Sequence, residues 1–271
     1  MSSDATPEMN LSDTSTWLPL SGLAPGFDAA KAPGSPALQG RTVAVRDGQG
    51  TIRYTFATGT VSVAGAAPQP CEVFEVADGL HVVLWHRADQ PDQAVSLILD
   101  DTHGRALTVT SALGAPAPGR TAVTQTFVPG TIDGAPVSGG APSPTAELIG
   151  RRVLWVYSAQ HAYEHIYLSP QWYTWQCLAG PERGLADTDE NSVWRIRPGI
   201  YVFAWREKVI PCGSVTVADH RDAKSLRSHG MLFGADDDGS GQLHFTFGAH
   251  GRLLSNTVHP SGYDPSRTGR D

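Results

Sequence analysis

Short runs of alternating apolar and polar residues, each ending in Gly, Asp or Pro, make up most of the chain. One set of runs extends from "GRTVAV" (40–45) to "RALTVT" (105–110), and a second set from "RRVLWVYS" (151–158) to "QLHFTFG" (242–248). A period of two predicts β-strands, and no long 3.6-residue period predicts a helix. Strands without helices form sandwiches or barrels, because open sheet edges are a hazard. The pattern therefore predicts an all-β protein.

The two sets of strands resemble each other. "EVFEVADGLHVVLWHR" (72–87) aligns with "SVWRIRPGIYVFAWRE" (192–207) at a constant offset, which pairs Trp85 with Trp205. Matching Gly and Trp positions at one spacing indicate an internal duplication. We expect two calycin-like (lipocalin-like) β-barrel halves packed together, and a small barrel of this type can enclose one small ligand.

Composition predicts where the two halves begin and end. Residues 1–36, rich in Ser, Pro, Ala and Gly, are expected to form a loosely packed N-terminal arm, and residues 256–271 a flexible tail. A Gly/Pro-rich linker at 116–146, in which "TAVTQTFV" is compatible with a strand, separates the barrels. The predicted N-terminal barrel is 37–115, and the predicted C-terminal barrel, with a ligand cavity, is 147–255.

Charge and composition narrow the class of partner. The chain has 20 basic and 27 acidic residues and a net charge of −7, without a basic stripe to replace phosphate counterions, so nucleic acid is not an expected partner. No apolar run reaches the ~18 residues of a membrane span, and the N-terminus does not resemble a signal peptide. We therefore expect no membrane association and a cytoplasmic location. The sequence is compatible with a homodimer.

Cysteine and histidine spacing gives no sign of a metal or a disulfide framework. Cys71, Cys177 and Cys212 are far apart and form no CxxC pair. His161 and His165 share a strand face, and for the third ligand that a site needs the sequence supplies only candidates such as His229 or His244. We expect no metal and no other cofactor.

One face of the C-terminal strands combines aromatic rings with polar groups. Alternation along "GIYVFAWRE" places an acidic residue after three aromatic ones on the same face. Buried hydroxyls and a buried carboxylate need partners, so this face suits a cavity for a flat ligand better than a dry core. The equivalent position in the first half is Arg87, and that half is expected to be mainly structural. The predicted substrate-binding wall consists of Trp155, Tyr163, Tyr167, Tyr173, Trp175, Tyr201, Phe203 and Trp205.

The run "AYEHIYLSP" (162–170), followed by "YTWQC" (173–177), resembles the MoaF family. The resemblance covers nearly the whole chain and implies two homologous domains. It also implies one alternative function, that of an accessory factor in molybdenum-cofactor biosynthesis.

The segment from Val153 to about Asp219 is distantly similar to the phenolic acid decarboxylases, which are single-barrel, calycin-like enzymes without a cofactor. "LWVYS" places Tyr157 at one of their two tyrosines, and Trp155 replaces the other. "PERG" places Arg183 near their arginine, and "GIYVFAWRE" places Glu207 at their glutamate. The resemblance implies that tyrosine and arginine hold a substrate while the glutamate relays a proton.

These observations lead to one functional hypothesis and two alternatives. The hypothesis is a cofactor-independent lyase, isomerase or cyclase of secondary metabolism that acts on a small apolar or aromatic molecule in the C-terminal barrel. Glu207 would be the acid/base, Tyr157 and Arg183 would orient the substrate, and His165 would assist. The alternatives are a non-catalytic small-molecule carrier or sensor and the accessory factor.

Overall fold

The computed structural model describes Thr14 and residues 17–115, 117, 119–239 and 241–267. Its one α-helix among these residues is the four-residue α1 (Leu20–Leu23), and two short 3-10 helices, Ser261–Tyr263 and Pro265–Arg267, follow the last strand. Within the described chain, every helix is too short to cross a membrane. All other regular secondary structure of the described residues is antiparallel β-sheet, which confirms the predicted all-β class.

The N-terminal half is one curled, nine-stranded sheet in the order β4-β3-β2-β1-β9-β8-β7-β6-β5. Its edge strands β4 and β5 follow each other in the chain with one residue, Cys71, between them. The two edges are therefore joined by the backbone, although they do not pair with each other. The strands are β1 (Thr42–Arg46), β2 (Thr51–Ala57), β3 (Thr60–Val63), β4 (Gln69–Pro70), β5 (Glu72–Ala77), β6 (Leu80–His86), β7 (Gln93–Asp100), β8 (Arg105–Leu113) and β9 (Val123–Ile132).

The C-terminal half is a closed barrel of eight strands, β11 to β18, with the short β10 added at one side. Closure depends on the length of β14, whose first part pairs with β13 and whose second part pairs with β15. Its strands are β10 (Ser143–Pro144), β11 (Arg151–Val156), β12 (Ala162–Tyr167), β13 (Trp172–Ala179), β14 (Ala186–Arg197), β15 (Ile200–Arg206), β16 (Cys212–Asp219), β17 (Leu226–Ala235) and β18 (Gln242–Asn256). The split pair β4 and β5 occupies the place of β14 in the first half.

The predicted linker at 116–146 contains a strand of the N-terminal sheet. Strand β9 pairs along its length with β8 and at its end with β1. The N-terminal sheet therefore continues past residue 115, because the alternating "TAVTQTFV" segment forms a strand and the Gly and Pro residues flank it. In the predicted tail, residues 256–263 are exposed; residues 268–271 lie outside the described chain.

Equivalent outer faces of the two halves pack against each other. The apolar side chains of β6–β8 meet those of β15–β17 in one buried cluster. At its border, the Arg197 guanidinium donates to both carboxylate oxygens of Asp100, at 2.9 and 2.7 Å. Phe127 stacks on Trp194 with ring centroids 5.2 Å apart. The interface between the two halves is therefore a hydrophobic core of its own and not a hydrated hinge.

The interiors of the halves differ in composition. The N-terminal interior is filled mainly by aliphatic side chains such as Val43, Val83 and Leu97, each no more than 4% exposed. The C-terminal interior is dominated by aromatic rings. The hydroxyl of a buried Tyr and the N–H of a buried Trp usually find a hydrogen-bond partner. The interior of the second half is therefore more polar than that of the first.

The N-terminal arm is firmly packed, and the expectation of a loosely packed segment is wrong for its described part, residues 17–36. Leu20, Leu23 and Phe27 are buried in the core of the C-terminal barrel. Their spacing places all three on one side of α1 and the turn that follows it. The Ser, Pro and Gly residues around them concealed this apolar stripe. The arm consequently covers one end of the C-terminal barrel.

Candidate functional site

A small cavity lies inside the C-terminal barrel, beneath the arm. Its volume is ≈ 50 Å³, which exceeds the ~10–15 Å³ needed for one water but is far below the ~300–1,000 Å³ of pockets for drug-sized ligands. Leu23 and Phe27 of the arm form part of its wall. The barrel contributes Tyr157, Tyr163, His165, Tyr173, Trp175, Glu182, Trp205, Glu207 and Leu232.

Glu207 directs its carboxyl group into this cavity. The alternation of β15 continues past its last residue, so Trp205 and Glu207 face inward while Arg206 faces outward to Glu190. The Trp205 indole N–H donates to Glu207 Oε1 at 3.3 Å. Burial, with smaller contributions from the charges of Asp189 and Glu182, raises the pKa of Glu207 to about 8. This carboxyl is therefore largely protonated at neutral pH.

Two further buried carboxyl groups, Glu182 and Asp189, lie close to Glu207. The Tyr163 hydroxyl donates to Glu182 Oε2 at 2.9 Å, while Glu182 Oε1 is buried without a hydrogen-bond partner among the described residues. The Trp175 indole N–H donates to Asp189 Oδ2 at 2.8 Å. Burial raises the pKa of both groups, that of Asp189 to about 6. Glu182 and Glu207 border the cavity and Asp189 does not, so the cavity has two carboxyl groups where the sequence had suggested one.

His165 is a neutral imidazole within the aromatic lining. Its ring centroid lies 5.3 Å from that of Tyr173 and 6.0 Å from that of Trp205. Burial, with a smaller contribution from His220, lowers the pKa of His165 to about 3. Its Nδ1 is buried and has no hydrogen-bond partner within the described part of the chain. The ring can exchange one hydrogen bond with a ligand, but it carries no charge at neutral pH.

Most of the predicted site residues lie inside the barrel, but not all reach the cavity. Four of the predicted wall residues are buried deeper in the core, at the far side from the arm: Trp155, Tyr167, Tyr201 and Phe203. Tyr201 is already bonded, since its hydroxyl donates to Glu147 Oε2 at 2.7 Å. The other predicted rings, together with Tyr157, His165 and Glu207, border the cavity.

Arg183 does not belong to the site. It is exposed at the turn between β13 and β14 and does not border the cavity. Hydrogen bonds from Arg183 N–H to Gly180 C=O and from Leu185 N–H to Glu182 C=O form this turn. They leave the guanidinium in water, whereas the preceding Glu182 is held inward by Tyr163. The "PERG" motif therefore contributes its glutamate, and not its arginine, to the site.

Two family models cover most of the chain. The model described as "MoaF C-terminal domain" matches residues 142–257, and "MoaF N-terminal domain" matches residues 15–115. The chain belongs to the MoaF family. "Protein MoaF" from Klebsiella aerogenes is 39% identical over 148 residues, which are 52% of this chain and 55% of that protein. The alignment thus spans about half the length of the curated relative.

A solved structure, "Crystal Structure of a putative beta-lactamase from Burkholderia vietnamiensis", is 12% identical and covers 41% of this chain and 100% of its own, with a TM-score of 0.34. That score is too low to relate the two folds. The resemblance to the phenolic acid decarboxylases stays a prediction. In this MoaF-family chain the N-terminal match includes the described arm, and the C-terminal match includes every barrel residue around the cavity.

The residues that sequence reasoning missed had usable signals. Asp189 alternates with Asn191 and Val193 on β14, and all three are buried. An acidic residue on the buried face of a strand was therefore visible once the strand was recognised. Glu182 lay in a turn, where no periodicity applies. Among the described residues, no group of three or more His, Cys, Asp or Glu side chains is arranged to hold a metal ion.

Proposed function

We propose that the C-terminal barrel binds a small organic molecule and that Glu207 transfers a proton to or from it, in a lyase, isomerase or cyclase reaction. The observation that carries this proposal is the placement of the Glu207 carboxyl. It faces an aromatic cavity, it accepts hydrogen bonds from the Trp205 indole and the Cys212 thiol, and among the described residues no Lys or Arg borders the cavity. A structural carboxyl of this type is normally paired with a cation.

The electrostatics of the site suit proton transfer. With its pKa raised to about 8, Glu207 is present in both protonation states near neutral pH. A general acid or base works best when its pKa lies near the working pH, and such catalysis contributes typically ~10²–10⁴-fold to a rate. Neutral His165 offers a hydrogen bond from the opposite wall. The hydroxyls of Tyr157 and Tyr173 border the same space, and burial keeps the pKa of both above the ordinary value, so both remain protonated.

The covering arm governs entry to the site. The present cavity is too small for an aromatic ring, since an engineered cavity that binds benzene measures ~150 Å³. The Phe27 ring lies 4.7 Å from that of Tyr157 and 5.9 Å from that of Tyr163. Displacement of Phe27 would free space of the size of one ring beside the carboxyl groups. A ligand with an aromatic ring would then occupy the place that Phe27 holds in the closed barrel.

The test is a turnover screen with two variants. The purified chain is incubated with a panel of small aromatic compounds and pterins, and consumption is followed by NMR. Wild type and Glu75→Gln, a change of an exposed glutamate in the first half, are expected to convert a panel member, whereas Glu207→Gln should bind it with at least ~100-fold slower conversion. Full turnover by Glu207→Gln would refute the acid/base role. Binding without conversion by wild type would favour the carrier or sensor, and selective binding of a pterin would favour the accessory factor.

A further inference from the structure

We propose that the ligand of this cavity is an organic ammonium cation, with its charged group between Glu182 and Glu207 and its carbon skeleton against the aromatic rings. This inference names the ligand class of the site described above, and it therefore rests on the binding step of the proposed function. It does not require that the ligand be converted.

The carboxyl groups of Glu182 and Glu207 border the cavity and come from separate elements, whereas Asp189 does not border it and accepts hydrogen bonds at both oxygens, from the Trp175 indole at 2.8 Å and the Lys208 backbone N–H at 3.0 Å. Glu182 is in the turn after β13, Asp189 is on β14 and Glu207 follows β15. Both other carboxyls act electrostatically on Glu207. Because like charges in a buried site repel each other, such a group either takes up protons or binds a cation.

The neighbouring basic side chains are engaged elsewhere. Lys208 Nζ pairs with Asp187 Oδ1 at 3.0 Å. Arg206, on the outer face of the barrel, pairs with Glu190 at 3.3 Å and donates to Gln125 Oε1 at 2.8 Å. Arg183 is exposed at its turn. The cation that would balance an ionised carboxylate at the cavity therefore has to be supplied by a ligand.

Two buried polar atoms independently indicate a missing partner. Glu182 is 4% exposed, and its Oε1 has no hydrogen-bond partner within the described chain. His165 is 5% exposed, and its Nδ1 likewise has no hydrogen-bond partner among the described residues. Unsatisfied buried polar atoms are rare and commonly mark a bound group. A carboxylate oxygen can only accept hydrogen bonds, so the group that satisfies Glu182 must be a donor. An ammonium group provides two or three N–H donors together with the positive charge.

The aromatic wall favours an organic cation over a metal ion. The indoles of Trp175 and Trp205 each donate their N–H to one of the carboxyls, which fixes both rings at the edge of the acidic group. Aromatic faces attract an ammonium group by ~0.5–2 kcal/mol. Metal sites instead require several ligand atoms at short, regular distances. The described His, Cys, Asp and Glu side chains contain no such set.

The test compares a cation with a neutral molecule of the same shape. Benzylamine, protonated at pH 8, and benzyl alcohol are titrated into the full-length protein, and binding is followed by tryptophan fluorescence and calorimetry. We expect benzylamine to bind at least ~10-fold more tightly than benzyl alcohol. Glu182→Gln should remove most of that preference. Glu207→Gln serves as a second variant if Glu182→Gln fails to fold, and Glu75→Gln is the matched control.

The outcomes separate this inference from the proposed function. Equal or tighter binding of benzyl alcohol would overturn the ammonium assignment and leave a neutral-ligand site with Glu207 as its acid/base. A benzylamine preference that survives both Glu182→Gln and Glu207→Gln would also overturn it. If neither probe binds wild type or Phe27→Ala, whose cavity is enlarged, then this inference and the binding step of the proposed function both fail.

Discussion

The ring of Phe27, from the arm, packs 4.7 Å from the ring of Tyr157, on the rim of the C-terminal barrel. Around this pair, Trp17 meets Trp175 edge to face at 5.5 Å, and a backbone hydrogen bond from Leu18 reaches Glu182. The arm is consequently part of the second barrel, although it precedes the first barrel in the chain.

Phe27→Ala is expected to destabilise the protein by about 3 kcal/mol, the lower end of the range for buried Phe, because the short arm can partly refit. The same change should increase fluorescence of a hydrophobic dye, since the cavity gains the volume of the ring. Urea denaturation and dye titration measure the two effects. Phe27→Leu, which keeps most of the apolar volume, should show less than half of the destabilisation and less than half of the increase in dye fluorescence. An unchanged midpoint and unchanged dye fluorescence in Phe27→Ala would contradict the burial of this ring.

Glu207→Gln should alter the pH dependence of stability. The pKa of Glu207 is about 8 in the folded protein, against an ordinary value of 4.5, so between those pH values the folded state holds a proton that the unfolded state has lost. The free energy of unfolding of wild type therefore falls as pH rises from about 4.5 to 8. The variant lacks this contribution, so its free energy of unfolding should rise relative to that of wild type by about 1 kcal/mol per pH unit in that window. Parallel pH profiles of the two proteins would show that the carboxyl is not buried.

Asp100→Asn tests the contact between the halves. Asp100 is 1% exposed and receives both hydrogen bonds from Arg197 of the other half. Loss of its charge leaves the buried Arg197 guanidinium without its carboxylate, with the Asp78 carbonyl as a remaining acceptor at 3.0 Å, at a cost of about 3–5 kcal/mol. Asp133→Asn, which removes the partner of the exposed Arg46, should cost less than about 1 kcal/mol. Thermal denaturation of both variants gives the comparison, and similar small losses would argue against a rigid interface.

Gly251→Ala is expected to disturb the barrel core. A Cβ at this position would lie 2.5 Å from the ring of Trp155, the residue of β11 that pairs with Gly251 of β18. The ring has to shift, and overpacking of this kind costs about 1–3 kcal/mol. A matched change, Gly140→Ala, meets no atom within 4 Å and should be neutral. Near-ultraviolet circular dichroism would report the displaced indole, and a wild-type spectrum would refute the close contact.

Strand periodicity predicted the fold better than it predicted the site. Alternation placed Tyr163, His165 and Glu207 on the inner face because every strand residue points to one side or the other. Arg183 and Glu182 lie in a turn, where the side that each residue faces depends on local hydrogen bonds and not on a period. The prediction for the arm failed for another reason. A stripe of three apolar residues is too short to be recognised in the sequence, and the aromatic rings against which it packs are distant in the sequence.

The order of the chain has a consequence for biosynthesis. During translation the arm leaves the ribosome before either half, and its partners in the second barrel are made only after the whole first half. Until then Leu20, Leu23 and Phe27 form an uncovered apolar segment on a nascent chain whose first sheet can already fold. This segment is available to chaperones throughout that interval, and it becomes inaccessible at the moment when the second barrel closes around it.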